Sequence, residues 1–359
     1  MIDHLVEAKP APLPSPIKRP RNRYLGVQAQ LLLRAIRTRK ISVRKLWNVF
    51  LNHAHYWLKT EQGPPAPFIL TLELWNECNA GCLFCRDKKG NIRDLNPAKR
   101  APIMKGKMSP AMAMEIIGQV KEDVMTAVLY TTGEPFLYPE LGQVIRYATD
   151  NKVTTVIASN GLMMTEEKVR DVLEAGLDLI KIQLSGWTQD IYSIQIRYGE
   201  VEKLKENIRM LARMNREGNY GTIILIDYIL YNYNKHQLPL VRQFCQELGV
   251  NMNIRPGNPA GGLENLEPVV PEQLPLKISC DYLWKAMQVN FNGDIFPCCE
   301  ATVWSGAKPY EVFKMGQTNV REVWRGKAAQ AWRHMMNTKG RAAEPMCAQC
   351  NRRGVCFKV

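Results

Sequence analysis

Two hydrophobic periods alternate along the middle of the chain. Short apolar runs recur at "FILTLELW" (68–75), "MTAVLYTTGEPFLYPEL" (125–141), "VTTVIASNG" (153–161), "LDLIKIQLSG" (177–186), "TIILIDYIL" (222–230) and "VNMNIRPG" (250–257). They are of strand length, rich in β-branched residues and bounded by turn formers, so each predicts a strand. The second runs on into a Gly-Glu-Pro turn. Between them lie segments with helical spacing: "SPAMAMEIIGQVKE", "PELGQVIRYATD", "TEEKVRDVLEAG", "VEKLKENIRMLARMN" and "KHQLPLVRQFCQELG". Ser109 and Thr165 are expected N-caps, and Gly249 an expected helix end. Strands alternating with helices imply parallel β/α units, here six. Parallel β/α folds place their chemistry at the C-terminal ends of the strands. The cysteine loop after the first strand, Glu134, Ser159, Asn160 and Ser185 all fall at such ends.

Both flanks break this rhythm. "VQAQLLLRAIRTRK" and "SVRKLWNVFLNHAHYWLK" predict two amphipathic helices, the second capped by Ser42, with Leu46, Phe50, Ala54 and Trp57 on one stripe. Towards the other end, Gly293 fits a tight hairpin between "AMQVNF" and "DIFPCC". The 359 residues are 46% hydrophobic, enough for one large domain with additions. No apolar run reaches the ~18 residues of a membrane span, and the first residues lack signal-peptide order. A cytoplasmic protein is expected.

Charge is unevenly spread. The chain carries a net +14, and residues 8–60 hold twelve Lys or Arg and no Asp or Glu, so 14 minus 12 leaves +2 elsewhere. One reading is helices packed on the barrel with a solvated basic face. Another is contact with an anionic membrane surface or a phosphorylated substrate, which would make the protein peripheral to a membrane. Phosphate contacts would also serve nucleic acid, but no RNA-binding module is recognisable.

The ten cysteines fall in two groups, with Cys245 alone between them as a buried small hydrophobe. Cytosolic thiols stay reduced, so the groups read as metal ligands. In the first, Cys78, Cys82 and Cys85 lie within eight residues. Four thiolates saturate a four-iron cluster, and three leave a position open, as catalytic metal sites do. A zinc site completed by a distant His or Cys is the alternative.

The spacing of this group resembles the signature of the radical SAM superfamily. The resemblance implies a [4Fe–4S] cluster on Cys78, Cys82 and Cys85, whose fourth iron binds S-adenosylmethionine and yields a 5'-deoxyadenosyl radical. Phe84 matches an aromatic that commonly lies by the adenine. Gly133-Glu134-Pro135 resembles the "GGEP" element that receives the amino group, with Thr132 in place of its first glycine. Ser159, Asn160, Ser185 and Arg197 are implied as further SAM contacts, and Asn232 or Asn234 matches the polar residues after the fifth strand.

The C-terminal group resembles the SPASM extension or its shorter twitch form. Cys280, Gly293, Cys298 and the Cys347-x-x-Cys350 knuckle imply one auxiliary [4Fe–4S] cluster on Cys280, Cys298, Cys347 and Cys350, as in the twitch domain of an aminoglycoside dehydrogenase. Zinc is again the alternative. Cys299 and Cys356 are spare, as substitute ligands or hydrogen donors. The expected architecture is therefore a basic helical extension (1–67), a partial (β/α)6 TIM-like barrel (68–265) and a small SPASM/twitch-like domain (266–359). The expected activity is hydrogen abstraction leading to oxidation or epimerisation of a small polar, sugar-like, phosphorylated or lipid-linked metabolite, with flavodoxin or ferredoxin as electron donor. Peptide modification and a non-catalytic zinc or Fe–S protein are the other readings.

Overall fold

The computed structural model describes residues 23–87, 89–99, 101–257 and 279–350. Two helices come first, α1 (Arg23–Arg37) and α2 (Val43–Trp57). Six strands follow: β1 (Ile69–Leu72), β2 (Thr126–Val128), β3 (Thr154–Ser159), β4 (Leu179–Gln183), β5 (Ile223–Leu230) and β6 (Asn251–Pro256). Between them run α3 (Pro110–Val120), α4 (Leu141–Asp150), α5 (Glu166–Glu174), α6 (Gln189–Gln195), α7 (Val201–Glu217) and α8 (Leu238–Leu248). All five pairings from β1 through β6 are parallel.

The predicted local signals act as expected. Ser109 accepts from the Met112 amide, Thr165 from Lys168 and Ser42 from Lys45. Gly249 closes α8 at φ 68°, where a side chain would strain the backbone. The short α6 was not foreseen, because its seven residues carry too few apolar positions to show a period.

The C-terminal part extends the same sheet. After α9 (Tyr282–Lys285), strand β7 (Ala286–Val289) runs parallel to β1, and β8 (Asp294–Phe296) and β9 (Glu311–Val312) continue antiparallel. Gly293, at φ 90°, makes the β7–β8 turn. The sheet therefore reads β6-β5-β4-β3-β2-β1-β7-β8-β9. Helices α10 (Val320–Arg325), α11 (Lys327–Thr338) and α12 (Pro345–Gln349) complete the described chain.

Strand alternation separates two faces. Leu70, Leu72, Ile180, Ile182, Ile224 and Ile226 pack in the large core with the surrounding helices. Ile69, Val128, Val156, Leu179, Ile223 and Leu225 face the other way and pack with Val27 of α1. Further along the same inner faces come Thr71 on β1 and Glu73 just after it, Lys181 and Gln183 on β4, and Asp227 on β5. The lumen is thus apolar where the strands begin and polar where they end.

The N-terminal helices differ from the amphipathic expectation. On α2 the buried residues are Lys45, Asn48 and Asn52, while Leu46, Phe50 and Trp57 are exposed. The helix lies against strand-entry loops whose free carbonyls require donors, and polar side chains meet that need. Asn48 donates to the Asp123 and Pro67 carbonyls, Asn52 to Ala66 and Lys45 to Lys152.

Candidate active site

Glu73 organises the strand-exit face. It follows β1, is 1% exposed and points into the lumen. Its carboxylate accepts from the amides of Thr131 (3.2 Å), Thr132 (2.6 Å) and Gly133 (3.3 Å), and from the Thr132 hydroxyl (2.8 Å). Burial pushes this carboxyl above the usual range, and these donors pull against that push. Thr132 therefore supplies a hydroxyl donor that a glycine could not. Sequence reasoning missed Glu73. A carboxylate in an otherwise apolar strand run was its only signal.

Gly133 is required for space. A Cβ there would lie 1.7 Å from the Trp75 carbonyl oxygen, so the turn presses directly on the chain entering the cysteine loop. Gly133→Ala is expected to force the two segments apart and sharply lower iron loading at the first centre. Iron and sulfide analysis after anaerobic reconstitution checks this, and wild-type loading would refute it.

The neighbouring residues brace the same region. Glu134 accepts from Ser159 Oγ (2.7 Å) and from the amides of Asn160 (2.7 Å) and Phe136 (3.0 Å). Burial raises its carboxyl too, against those donors. Asn160 also donates from Nδ2 to Asn79 (2.9 Å) and approaches Cys78 Sγ at 3.6 Å. Pro135 begins a short 3-10 turn. Arg197 grips the cysteine loop through the carbonyls of Gly81 (2.8 Å), Arg86 (3.0 Å) and Asp87 (2.5 Å). Phe84 packs half-buried against the core. Ser185 Oγ accepts from the Ile229 amide, and its carbonyl accepts from Asn234. Asn234 is buried in that knot, whereas Asn232 stays half-exposed.

The cysteine loop wraps around Cys82, whose carbonyl accepts from the Cys85 and Arg86 amides. The Cys82 thiol is pushed well up by burial, then by Cys85 and Cys78 beside it. Arg86 is 1% exposed and donates from Nη2 to the Asn76 and Thr132 carbonyls. Its Nε and Nη1 are buried without a partner, and its charge acts on both Cys78 and Cys82. Three thiols beside a buried cation suit an anionic iron–sulfur cluster. Arg86, directly after the third cysteine, is the second functional candidate that sequence reasoning passed over.

A second thiol group forms in the C-terminal part. Burial, then the Tyr282 amide, Asp281 and Cys350, set the Cys280 thiol, pushed up to about 12. Cys347 is pushed up to about 12 by burial, then Cys280 and Cys350, and Cys298 rises well up through burial with Cys280 and Cys347 nearby. These four therefore neighbour one another, although among the described residues no three potential ligands close to metal-binding spacing. Tyr310, whose buried hydroxyl has no partner, lies within electrostatic range of Cys298 and Cys280. An all-thiol set with an adjacent orphaned hydroxyl fits a cluster with sulfur acceptors. Cys299, buried beside Cys298, is disulfide-bonded. Because of that bond, a hydrogen-donating thiol at Cys299 requires the reduced chain, and Cys356 lies outside the described residues.

Comparison with known proteins decides the family. Residues 72–237 match the Radical SAM superfamily, and residues 280–351 match SPASM, an iron–sulfur cluster-binding domain. The chain is a radical SAM/SPASM protein. Its cofactors are accordingly S-adenosylmethionine, a [4Fe–4S] cluster and auxiliary iron–sulfur. The chain is similar to mycofactocin maturase MftC of Mycobacterium tuberculosis (strain CDC 1551 / Oshkosh), at 25% identity over 66% of this chain and 56% of that protein. It also resembles the AdoMet-dependent heme synthase of Oleidesulfovibrio alaskensis (strain ATCC BAA-1058 / DSM 17464 / G20), at 25% identity over 53% and 45% of the two chains. The chain spans about half the length of these curated relatives. Among solved structures, BtrN in complex with AdoMet and 2-DOIA superposes at TM-score 0.53 and 16% identity, covering 82% of this chain and 96% of BtrN. Streptococcus suis SuiB bound to S-adenosylmethionine gives 0.57 and 14%, covering 84% and 76%. Both likenesses are of overall fold.

Proposed function

We propose that this enzyme removes a hydrogen atom from an unactivated C–H bond of a small polar metabolite bearing an anionic group, and completes the reaction as an oxidation. S-adenosylmethionine at the first centre supplies, on one-electron reduction, the 5'-deoxyadenosyl radical. Cys78, Cys82 and Cys85 would hold that centre, with Arg86 as buried counter-charge. Glu73 and Gly133 hold the turn beside it, and Arg197 fixes the loop. Phe84, Pro135, Glu134, Ser159, Asn160 and Ser185 are the proposed SAM-side residues, although Glu134 and Ser185 also have structural partners.

The substrate class rests on the lumen. Asp227, 1% exposed, accepts from Asn253 (2.6 Å) and Arg255 (2.7 Å), with the Lys181 ammonium at 3.3 Å. Burial alone would raise the Asp227 carboxyl, but Arg255 and Lys181 hold it below the usual range. Two cations around one carboxylate leave a local surplus of positive charge on the β4–β6 side of the lumen, away from the Glu73 carboxylate that follows β1. A carboxylate or phosphate on the substrate would meet it.

The observation that carries the oxidation reading is the second thiol group. An oxidation needs an electron acceptor, and a cluster on Cys280, Cys298, Cys347 and Cys350 would be one. The hairpin also joins the catalytic turn, since Gln288 Nε2 on β7 donates to Thr131 Oγ1 at 3.0 Å. Epimerisation would instead require a hydrogen donor, for which Cys356, or Cys299 once reduced, is the candidate. The cytosol, which keeps thiols reduced and provides flavodoxin or ferredoxin, is the proposed compartment. Among the described residues no helix is long and apolar enough to cross a membrane.

Cys280→Ala or Cys347→Ala is expected to keep 5'-deoxyadenosine formation while product formation stops, because the barrel retains its own three thiols. The assay uses metabolites that accumulate in a deletion strain, run in deuterated water. Solvent deuterium in the product would establish epimerisation instead, and unchanged turnover would leave the second cluster only structural. A peptide substrate is the second reading. It is favoured by the relative named a mycofactocin maturase and by the likeness to SuiB solved with its precursor peptide SuiA, at TM-score 0.55.

A further inference from the structure

The two N-terminal helices form a plate across the strand-entry end of the barrel. Contacts to the segments leading into the strands fix it in place. Asn52 and Asn48 hold the Ala66 and Pro67 carbonyls ahead of β1, and Arg44 holds Asp123 (2.8 Å) ahead of β2. Lys45 holds the Lys152 carbonyl ahead of β3. Arg34 binds Asp178 (2.8 Å) ahead of β4 and the Tyr220 carbonyl ahead of β5, and Gln30 pairs with Asn251 of β6. Lys40, Lys45, Asn48 and Asn52 are therefore buried against the barrel rather than turned to water.

The outward face is apolar in consequence. Nine of the fourteen large apolar side chains exposed among the described residues lie between residues 32 and 58. They include Leu33, Ile36, Leu46, Trp47, Phe50 and Trp57, and the Trp47 and Phe50 rings stack at 5.1 Å. Arg37, Arg39 and Lys59 are exposed around them. No carboxylate lies between residues 8 and 60; of the acids beside the plate, Asp123 is engaged by Arg44 and Arg321 and Glu61 by His334, while Glu122 is exposed near Arg44 and Lys45.

We infer that this face docks on an anionic lipid bilayer. An apolar patch with aromatic residues and a cationic rim matches the acyl boundary below and the anionic headgroups around it. A second copy of the plate would bring the same cationic rim against this one. The segment at residues 8–22 carries four further cations and no acid, so it too shares the sign. A bilayer with anionic lipid is the partner of opposite charge. Because the plate closes the strand-entry end, docking leaves the strand-exit site facing solvent. The surface would thus hold the enzyme at the membrane while substrate arrives from the aqueous side. This inference goes beyond the reaction and does not depend on it.

The test is co-sedimentation of the full-length reconstituted enzyme with vesicles of equimolar phosphatidylcholine and phosphatidylglycerol, against phosphatidylcholine alone. Binding is expected to the anionic vesicles only, and to weaken as salt rises. The double variant Trp47→Ser, Phe50→Ser should bind at least about tenfold less, since a fully buried aromatic side chain is worth roughly a factor of ten or more. Its circular dichroism and its cleavage of S-adenosylmethionine should be unchanged. Absence of sedimentation at low salt overturns the inference, as does a variant that binds like the wild type. A wild-type dimer split by the variant, without vesicle binding, would assign the face to a second copy. Binding that appears only after removal of residues 1–22 would assign it to that segment.

Discussion

Replacing Cys78, Cys82 and Cys85 together by Ala is expected to remove about half of the ~8 iron atoms that two four-iron clusters would hold, and to abolish 5'-deoxyadenosine formation. The three thiols are adjacent along one loop, beside the buried and half-satisfied Arg86. Among the described residues no thiol of the C-terminal group substitutes for them, because Cys280, Cys298, Cys347 and Cys350 are gathered around α9, the β7–β8 hairpin and α12. The auxiliary cluster should consequently survive, with its own absorbance and magnetic spectrum. Continued 5'-deoxyadenosine production by the triple variant would show that the active centre has been placed wrongly. Full iron retention would show that the loop is not a cluster ligand.

Asp178→Ala should be the most damaging single change to stability outside the core hydrophobes. The carboxylate is fully buried and holds Arg34 at 2.8 Å, Lys40 at 2.5 Å and the Thr155 amide at 2.9 Å. Lys40 is itself only 2% exposed, so the change leaves an ammonium buried without its counter-charge. Breaking a buried pair from one side costs about 3–5 kcal/mol. It should also loosen the plate of α1 and α2 from the barrel. Arg44→Ala serves as the control. Its side chain is 57% exposed, and the loss of its pair with Asp123 should cost at most about 1 kcal/mol. Denaturant midpoints of the two variants measure the contrast. Equal shifts would mean that the buried pair contributes no more than the surface one.

Some of the site could be read in the chain because its chemistry is local. The three-cysteine loop, the Gly-Glu-Pro turn and the Cys-x-x-Cys knuckle are each set by residues close in sequence, and spacing alone reveals them. Glu73 and Arg86 were not legible in the same way. A carboxylate in an apolar strand and an arginine after a cysteine become informative only once the Thr131–Gly133 turn and the Asn76 carbonyl are folded against them. The same holds for Lys181, Asp227 and Arg255. They lie on three different strands, and only the parallel register brings Gln183 and Asp227 level and sets Asp227 against Asn253.

The sequence by itself determined the six barrel strands and five of the helices between them, the helix caps at Ser42, Ser109 and Thr165, the left-handed stop at Gly249 and the β7–β8 turn at Gly293. These follow from hydrophobic period and local backbone preference, which need no distant partner. The tertiary structure alone decided that the SPASM hairpin joins the barrel sheet through β7 beside β1, since strand neighbours depend on contacts across more than two hundred residues. It also decided which face of α2 is buried. Periodicity groups Leu46, Phe50 and Trp57 on one stripe but cannot say what the helix lies against. The strand-entry carbonyls demanded donors, Asn48, Asn52 and Lys45 supplied them, and the apolar stripe was left facing outward.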